Sequence, residues 1–427
     1  MRALLLIACF AASLRAEKID LPSVLRLAGA DSVEVRIAQE RLAEARARED
    51  GTLWQMFPVI APGITYRNHS GQLQDIVGDV TDITKNSFGA GATLQLSLEI
   101  GESTYRRLAA KQVTLAAEHR LESERRRILL AASEAYFELC AAQAEADLLN
   151  QAVGLAGDLH HQVKAAVAAG LASKGDEHRA FAQVTRAEVR RQKAYEARRA
   201  AAARLAEVVR LPLQEDLIPA DRRPVAINVP GTGLAVKLDA LVQTALAKRP
   251  EIAEAERLDN AAQENLAGAK YAPLWPTLGA QVFGGGLGGS PSSARQDWGR
   301  STDTQVTLFW RIGAGGLLDS SRVRAAEAAA AQGKLGIERI RDGVTREVVE
   351  AHASVHATSA AVRAAEVGLK SAEEGLKLAA QRRDFAVGAV LETLQSQQDA
   401  VQARLEVVRT VADLNKARHR LKAAVGE

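Results

Sequence analysis

The sequence predicts a mostly helical chain with a small β part, in which one plan is used twice: a helix, two strands, then two very long helices. Three observations predict it. Residues recur at one offset over some 150 positions. Two long stretches contain no proline and carry heptad patterning. Ahead of each lies a segment that alternates between apolar and small or polar residues.

The repeat comes first. Leu21-x-x-Val24-x-x-x-Ala28 is answered by Leu238-x-x-Leu241-x-x-x-Ala245 at an offset of 217. Val33-Glu34-Val35 then falls on Pro250-Glu251-Ile252, and Ala38 on Ala255. Pro58 matches Pro276, and Gly170 matches Gly388, both at 218. Pro212, Pro219, Pro224 and Pro230 crowd the segment between Arg210 and Lys237, which reads as an irregular linker. The expected division is a first repeat over 17–210, a linker over 211–236 and a second repeat over 237–427.

Residues 1–16 read as a secretory leader. Met1-Arg2 is a minimal basic start, Ala3 to Leu14 is apolar, and a cut falls near Ala16. Leu6-Ile7-Ala8-Cys9 also resembles a lipoprotein box, with Cys9 unusually early. A membrane-spanning helix needs about 20 apolar residues, and no stretch of the chain reaches that. Any entry into a membrane has to be made by strands.

The first helix of each repeat is expected over Leu21–Asp50 and Leu238–Lys270. Strands are expected over Phe57–Asn68, Ser87–Ile100, Trp275–Phe283 and Asp303–Trp310, with loops at His69–Asn86 and Gly284–Thr302. The second strand is the clearest. Phe88, Ala90, Ala92, Leu94, Leu96, Leu98 and Ile100 alternate with Gly89, Gly91, Thr93, Gln95, Ser97 and Glu99. Val306, Leu308 and Trp310 share a face in the fourth. Hairpins on a soluble sheet are the plain alternative, but an isolated hairpin is marginal in water. Strands can cross a bilayer only in a closed barrel. Four strands cannot close one alone, so several chains would have to contribute.

In the long helices Val348, Val355, Val362, Leu369 and Leu376 recur every seven residues, with Ala351, Thr358, Ala365, Ala372 and Ala379 three positions after each. Ile128, Ala132, Ala135, Leu139, Ala142, Ala146, Leu149 and Val153 form a similar stripe in the first repeat. Gly101 to Gly170 would make a helix of roughly 100 Å at ~1.5 Å per residue. The chain is then expected to turn at Gly170 and Gly388 and return.

Composition excludes other classes. Charged residues make up 25% and hydrophobic ones 47%, which is not a disordered chain. Lys plus Arg total 55 against 52 for Asp plus Glu, a balance that argues against nucleic acid as a partner. Two cysteines, Cys9 and Cys140, can build neither a zinc ribbon nor a disulfide framework. Gly284-x-Gly286-x-x-Gly289 matches a dinucleotide fingerprint in form, but no helix follows. His352 and His356 have the spacing of a metalloprotease pair without its Glu, and His160-His161 has no nearby ligand partner. Arg125-Arg126-Arg127 reads as solvated surface, and Cys140 as a small core residue. No nucleophile, base and orienting group can be assembled, so no catalytic, cofactor or metal site is expected.

The ordered set of these features resembles the TolC-like outer-membrane efflux protein family over nearly the whole mature chain. Leu238 to Pro276 is similar to the family's run from a Leu-rich opening to the Pro that starts a strand. Arg249-Pro250 stands where the family has Asn-Pro, and Ser32-Val33 is weaker still. Ala169-Gly170-Leu171-x-Ser173-x-x-Asp176-x-x-Arg179-Ala180 is similar to the family's first hairpin turn, and Val387-Gly388-Ala389-Val390-Leu391-x-Thr393-Leu394 to its second.

The resemblance implies a homotrimer in the outer membrane of a Gram-negative-type bacterium. Each chain would give four strands to a shared twelve-stranded transmembrane β-barrel and its coiled-coil helical hairpins to a periplasmic tunnel. The implied function is the exit duct of a tripartite efflux or type I secretion system, fed by an inner-membrane pump through a periplasmic adaptor. Thr93, Gln95, Ser97 and Glu99, with Gly89 and Gly91, would line the barrel lumen. Phe88, Leu94, Leu96, Leu98, Val306, Leu308 and Trp310 would face outer-membrane lipid, with Trp298 and Trp310 near its interfaces. Gly170, Leu171, Ser173, Val387, Gly388 and Ala389 would dock the adaptor. Asp176, Arg179, Asp384, Glu392 and Asp399 are candidates for a periplasmic gate, although Leu394 and Gln397 stand where an acidic ring is expected. The competing reading is a soluble periplasmic coiled-coil scaffold or adaptor. With Met56 the one methionine after the leader, a methionine-lined copper path is not expected.

Overall fold

The computed structural model describes residues 18–427 apart from 75, 215, 235, 291–296 and 385–389. The expected leader with Cys9, and Val387, Gly388 and Ala389 of the expected second turn, lie outside the described residues. In chain order the elements are β1 (Lys18–Ile19), α1 (Leu21–Asp31), α2 (Val33–Trp54), β2 (Val59–Gln74), β3 (Val80–Glu99), α3 (Ile100–Ala168) and α4 (Lys174–Val209). They continue with β4 (Ile218–Pro219), α5 (Leu238–Lys248), α6 (Pro250–Tyr271), β5 (Thr277–Ser290), β6 (Asp297–Phe309), α7 (Ser320–Asp384) and α8 (Val390–Val425). The run α1-α2-β2-β3-α3-α4 and the run α5-α6-β5-β6-α7-α8 have the same order of element types.

Two expected elements are corrected. The first helix of each repeat is broken in two, at Ser32 and at Arg249, both in extended backbone. Arg249 precedes Pro250, whose ring disfavours helical geometry in the residue before it. The expected loops His69–Asn86 and Gly284–Thr302 are largely strand. β2 and β3 pair out to Gln74↔Val80, and β5 and β6 out to Gly289↔Asp297. Ladder bonds are made by the backbone, so glycine and polar residues without alternation do not end a strand by themselves.

The chain divides into two compact units. One holds Glu40–His119 and Glu251–Ile340, and so contains the four-stranded sheet. That sheet is antiparallel throughout, in the order β2-β3-β5-β6. Ion pairs tie the helical segments beside it: Arg46 to Glu118 at 2.9 Å and Lys270 to Glu327 at 2.7 Å.

The other unit holds the described residues up to Gln39, Arg120–Pro250 and Arg341–Glu427. Its largest cluster packs Val24 and Ala28 of α1, Ala132, Tyr136, Leu139 and Cys140 of α3, Leu205 of α4, and Leu217, all buried. The heptad stripe of α7 is buried at Val348, Val355 and Val362. The linker is held by side chains. Asn415 of α8, 1% exposed, accepts from the Ile227 N–H at 2.9 Å and donates to the Val225 carbonyl at 2.8 Å. The Asn amide thus gives the linker backbone the bonds a neighbouring strand would give. Tyr136 donates to Asp221 at 3.0 Å. The Ala220 N–H donates to the Ile19 carbonyl at 2.8 Å, beside the short parallel pair β1–β4.

The C-terminal end of α8 is also satisfied. Arg249 donates to the Ala424 carbonyl at 3.3 Å and pairs with Glu347 at 3.0 Å. Arg126 donates to the Gly426 carbonyl at 2.8 Å. Cations at a helix C-terminus meet its unpaired carbonyls and its dipole. The triplet Arg125-Arg126-Arg127 is therefore not all solvated surface.

Candidate functional site

The sheet has two faces of opposite character, fixed by the register. Val59, Gln95, Gln281 and Gln305 form one cross-strand row. On the same face lie Thr93 with Asp303, Ser97 with Thr307, and Glu99 with Thr277. Thr93, Gln95, Ser97 and Glu99 are thus brought onto a shared polar face. Two further glutamines, Gln281 and Gln305, join them; the strand of Gln281 is too Gly-rich for alternation to place it, whereas Gln305 falls opposite the Val306–Leu308 face. Glu99 is not a bare acid, since it pairs with Arg311 at 3.2 Å.

The opposite face is apolar. Ile60, Leu94 and Val282 share a row, as do Leu96, Ala280 and Val306, and Leu98, Leu278 and Leu308. These side chains stand in the open: Ile60 is 69% and Val306 68% exposed. Aromatic residues mark both ends of the band. Tyr66, Phe88 and Trp298 lie at one end, with the Phe88 and Trp298 rings 5.5 Å apart. Trp275 and Trp310 lie at the other, where the Trp310 indole donates to the Leu274 carbonyl at 3.2 Å. Phe88 to Leu98 is ten steps, about 33 Å along a strand at ~3.3 Å per residue. At a tilt of about 40° this gives a band roughly 25 Å tall, the height of the apolar belt of a membrane barrel.

Two glycine contacts shape these faces. A Cβ on Gly286 would come within 2.2 Å of the Trp298 indole, so that ring lies across the glycine on the apolar face. A Cβ on Gly91 would meet the Phe283 ring at 2.8 Å, so Phe283 lies across Gly91 on the polar face. The formal dinucleotide fingerprint at Gly284, Gly286 and Gly289 is part of β5 and opens no helix.

The connection from α3 to α4 is built by two local motifs. Gly170 has φ +75°; its N–H donates to the Val167 carbonyl at 3.0 Å, and that of Leu171 to the Ala166 carbonyl at 2.8 Å. This is a Schellman ending, which needs a left-handed residue. Ser173 then caps α4: its Oγ accepts from the Asp176 N–H at 3.2 Å, while Asp176 accepts from the Ser173 N–H at 3.3 Å. Hydrogen bonding to Ser173 holds the Asp176 carboxyl below the usual carboxylate range. Leu171 stands 83% exposed at the tip.

The gate candidates are dispersed. Asp176 and Arg179 pair within one turn of α4 at 3.2 Å. Glu392 pairs with Arg382 at 2.8 Å, and Asp399 is exposed. Asp384 ends α7, and its side chain is outside the described set. Leu394 is 6% exposed in a cluster with Leu159, Val163 and Ala180. A leucine there serves packing between helices rather than carrying a charge.

α3 and α8 run antiparallel in one register through this unit. Glu134 pairs with Arg420, Glu138 with Lys416, and Glu145 with Arg409 through two bonds of 2.6 and 2.8 Å. Leu149 and Leu405 pack together next along it, with Ala146 and Ala194. Among the described residues, no group of three His, Cys, Asp or Glu side chains could hold a metal. Burial pushes the Cys140 thiol up to about 12, far from a nucleophile's range. No helix is long and apolar enough to cross a membrane among the described residues.

Comparisons with known proteins agree with this geometry. Residues 241–427 match the outer membrane efflux protein family. No curated protein sequence matches. The fold is similar to the outer membrane channel CmeC of Campylobacter jejuni, with a TM-score of 0.81 and 14% identity over 95% of this chain and 85% of that one. It is similar to a membrane protein from Pseudomonas aeruginosa, with a TM-score of 0.79 and 21% identity over 95% and 93%. It is also similar to the outer membrane protein VceC of Vibrio cholerae, with a TM-score of 0.74 and 17% identity over 95% and 96%. At these identities the likeness is one of fold.

Proposed function

We propose, from the match of residues 241–427 to the outer membrane efflux protein family, that this chain is an outer-membrane exit duct. The observation that carries the proposal is a two-faced sheet with two unpaired edges. Its order leaves one side of β2 and one side of β6 without a partner strand among the described residues. In lipid every backbone donor and acceptor must be satisfied, and an open edge is not tolerated. A second copy's β6 beside β2 satisfies both edges. Three copies make a closed twelve-stranded barrel with the glutamine row inside and the leucine rows in the bilayer. A soluble scaffold would leave the apolar face in water.

On this reading the two repeats, 17–210 and 237–427 about the linker 211–236, each supply two strands and one helical hairpin. The helical hairpins form the periplasmic tunnel. The tip at Gly170, Leu171 and Ser173, together with Val387, Gly388 and Ala389 of the second repeat, meets a periplasmic adaptor that delivers cargo from an inner-membrane pump. The exposed Leu171 supports docking at the first tip. Asp176 with Arg179, and Glu392 with Arg382, then act as turn and surface ion pairs, each worth about 1 kcal/mol or less. A charge gate made of them would need the copies to combine. The test is deletion of the gene and measurement of dye efflux from intact cells. Wild type restores efflux, and Leu171→Asp restores abundance in the outer membrane without restoring efflux. Restoration of efflux by a form confined to the soluble periplasm would overturn the proposal.

A further inference from the structure

The sheet exchanges its polarity above the aromatic row of Tyr66, Phe88 and Trp298. The β3–β5 pairing ends at Asn86↔Ser290, while β2 and β3 continue as a two-stranded ribbon from His69↔Lys85 to Gln74↔Val80. Among the described residues no third strand flanks that ribbon.

On the ribbon, the face continuous with Leu94 becomes polar. It holds Ser70 and Thr84, with their hydroxyls 3.4 Å apart, then Gln72 opposite Asp82, and at the last level Gln74 opposite Val80, its one apolar side chain. The face continuous with Gln95 begins with His69 and Lys85 and then becomes apolar, with Ile83 opposite Gly71 and Leu73 opposite Thr81. At the tip Ile76 is fully exposed and Val77 is 87% exposed. The outward face thus turns polar where a strand leaves lipid, and the inward face turns apolar where a wide pore would keep it polar.

We propose that the Leu73–Ile83 face of each ribbon packs against the same face of the other two copies and closes the extracellular mouth with an apolar plug. This rests on the duct reading above. Three points support it. A two-stranded ribbon is marginal in water and gains from cover on its apolar side. β2 is an edge strand, so the strand pairing proposed between copies sets each ribbon beside the next chain. The reach also suffices. Strands about 4.8 Å apart at a tilt of about 40° give a twelve-stranded barrel a radius of roughly 12 Å. The ribbon's six levels extend about 20 Å at ~3.3 Å each, enough to lean to the axis.

The test is cysteine cross-linking in intact cells with the full chain. Cys140 is 1% exposed and serves as a silent background. Leu73→Cys, Ile83→Cys and the outward control Gln72→Cys are each treated with a short bis-maleimide. Particle mass is measured in parallel on the detergent-extracted protein. The expected result is a trimeric particle in every case, with covalent dimers for Leu73→Cys and Ile83→Cys, since one thiol per chain admits one cross-link, and single chains for Gln72→Cys. A trimer in which both inward variants cross-link no more than Gln72→Cys overturns the plug and leaves the duct standing. A particle that is not a trimer sinks the duct reading itself, and the plug with it.

Discussion

Gln95 stands directly opposite Gln281 in the β3–β5 ladder, and Gln281 directly opposite Gln305 in the β5–β6 ladder. One residue along β3, Leu94 points the other way, beside Ile60 and Val282. A strand's period of two thus assigns neighbouring positions to opposite faces of the sheet.

Gln95→Lys is expected to place one added charge per chain in the pore. Reversal potentials in planar bilayers should move toward anion selectivity, with outer-membrane yield unchanged. Leu94→Lys should instead cost about 2–4 kcal/mol near the bilayer midplane and lower the yield of assembled protein. Equal yields for the two variants would contradict the assignment of faces.

The first hairpin turn needs its left-handed residue. Gly170→Val puts a β-branched side chain at φ +75°, at a cost of about 1–2 kcal/mol. Ser173→Ala removes the α4 cap at a cost of about 1 kcal/mol. Both should raise hydrogen exchange within residues 165–177 and leave the sheet unchanged.

At the start of α7, Asp319 accepts from the Gly315 N–H at 2.8 Å and the Arg322 N–H at 3.1 Å, and it accepts from the Ser321 hydroxyl as well. These bonds, the Ser321 hydroxyl first, lower its pKa from 3.8 to about 2. A carboxylate depressed in the folded state contributes stability in full above its unfolded pKa, and loses it as pH falls through the folded one. The difference in thermal midpoint between wild type and Asp319→Asn should therefore be constant above pH 4 and shrink between pH 4 and 2. A difference that grows in that interval would contradict the sign.

Apolar contact outweighs charge between α3 and α8. Arg409 binds Glu145 at two points, but its side chain is 54% exposed. Arg409→Met should cost about 1 kcal/mol or less. Leu405→Ala, at a position 5% exposed, should cost about 2–5 kcal/mol. Thermal melts of the detergent-extracted protein compare the two.

Much of this architecture was legible because it is periodic. Alternation over Ser87–Ile100 names the two faces of β3, and the heptad names Val348, Val355 and Val362. The length of the strands was not legible, because glycine has no polarity to alternate. β5 is completed by backbone pairing, and the rings of Phe283 and Trp298 occupy the space its glycines leave. The breaks at Ser32 and Arg249 were half visible, as a proline step in one repeat only. The Asn415 clamp had no local signature, since its partners lie some 190 residues away. That Leu394 stands where an acidic ring is expected was legible; that it is buried against Leu159, Val163 and Ala180 was not, because those partners lie on other helices.

The central claim is that three chains close one barrel. The most direct measurement is the particle mass of tag-purified protein extracted in detergent from the outer-membrane fraction. A mass of three chains in that fraction is the predicted result. A monomer or dimer recovered from the soluble periplasm would contradict the account.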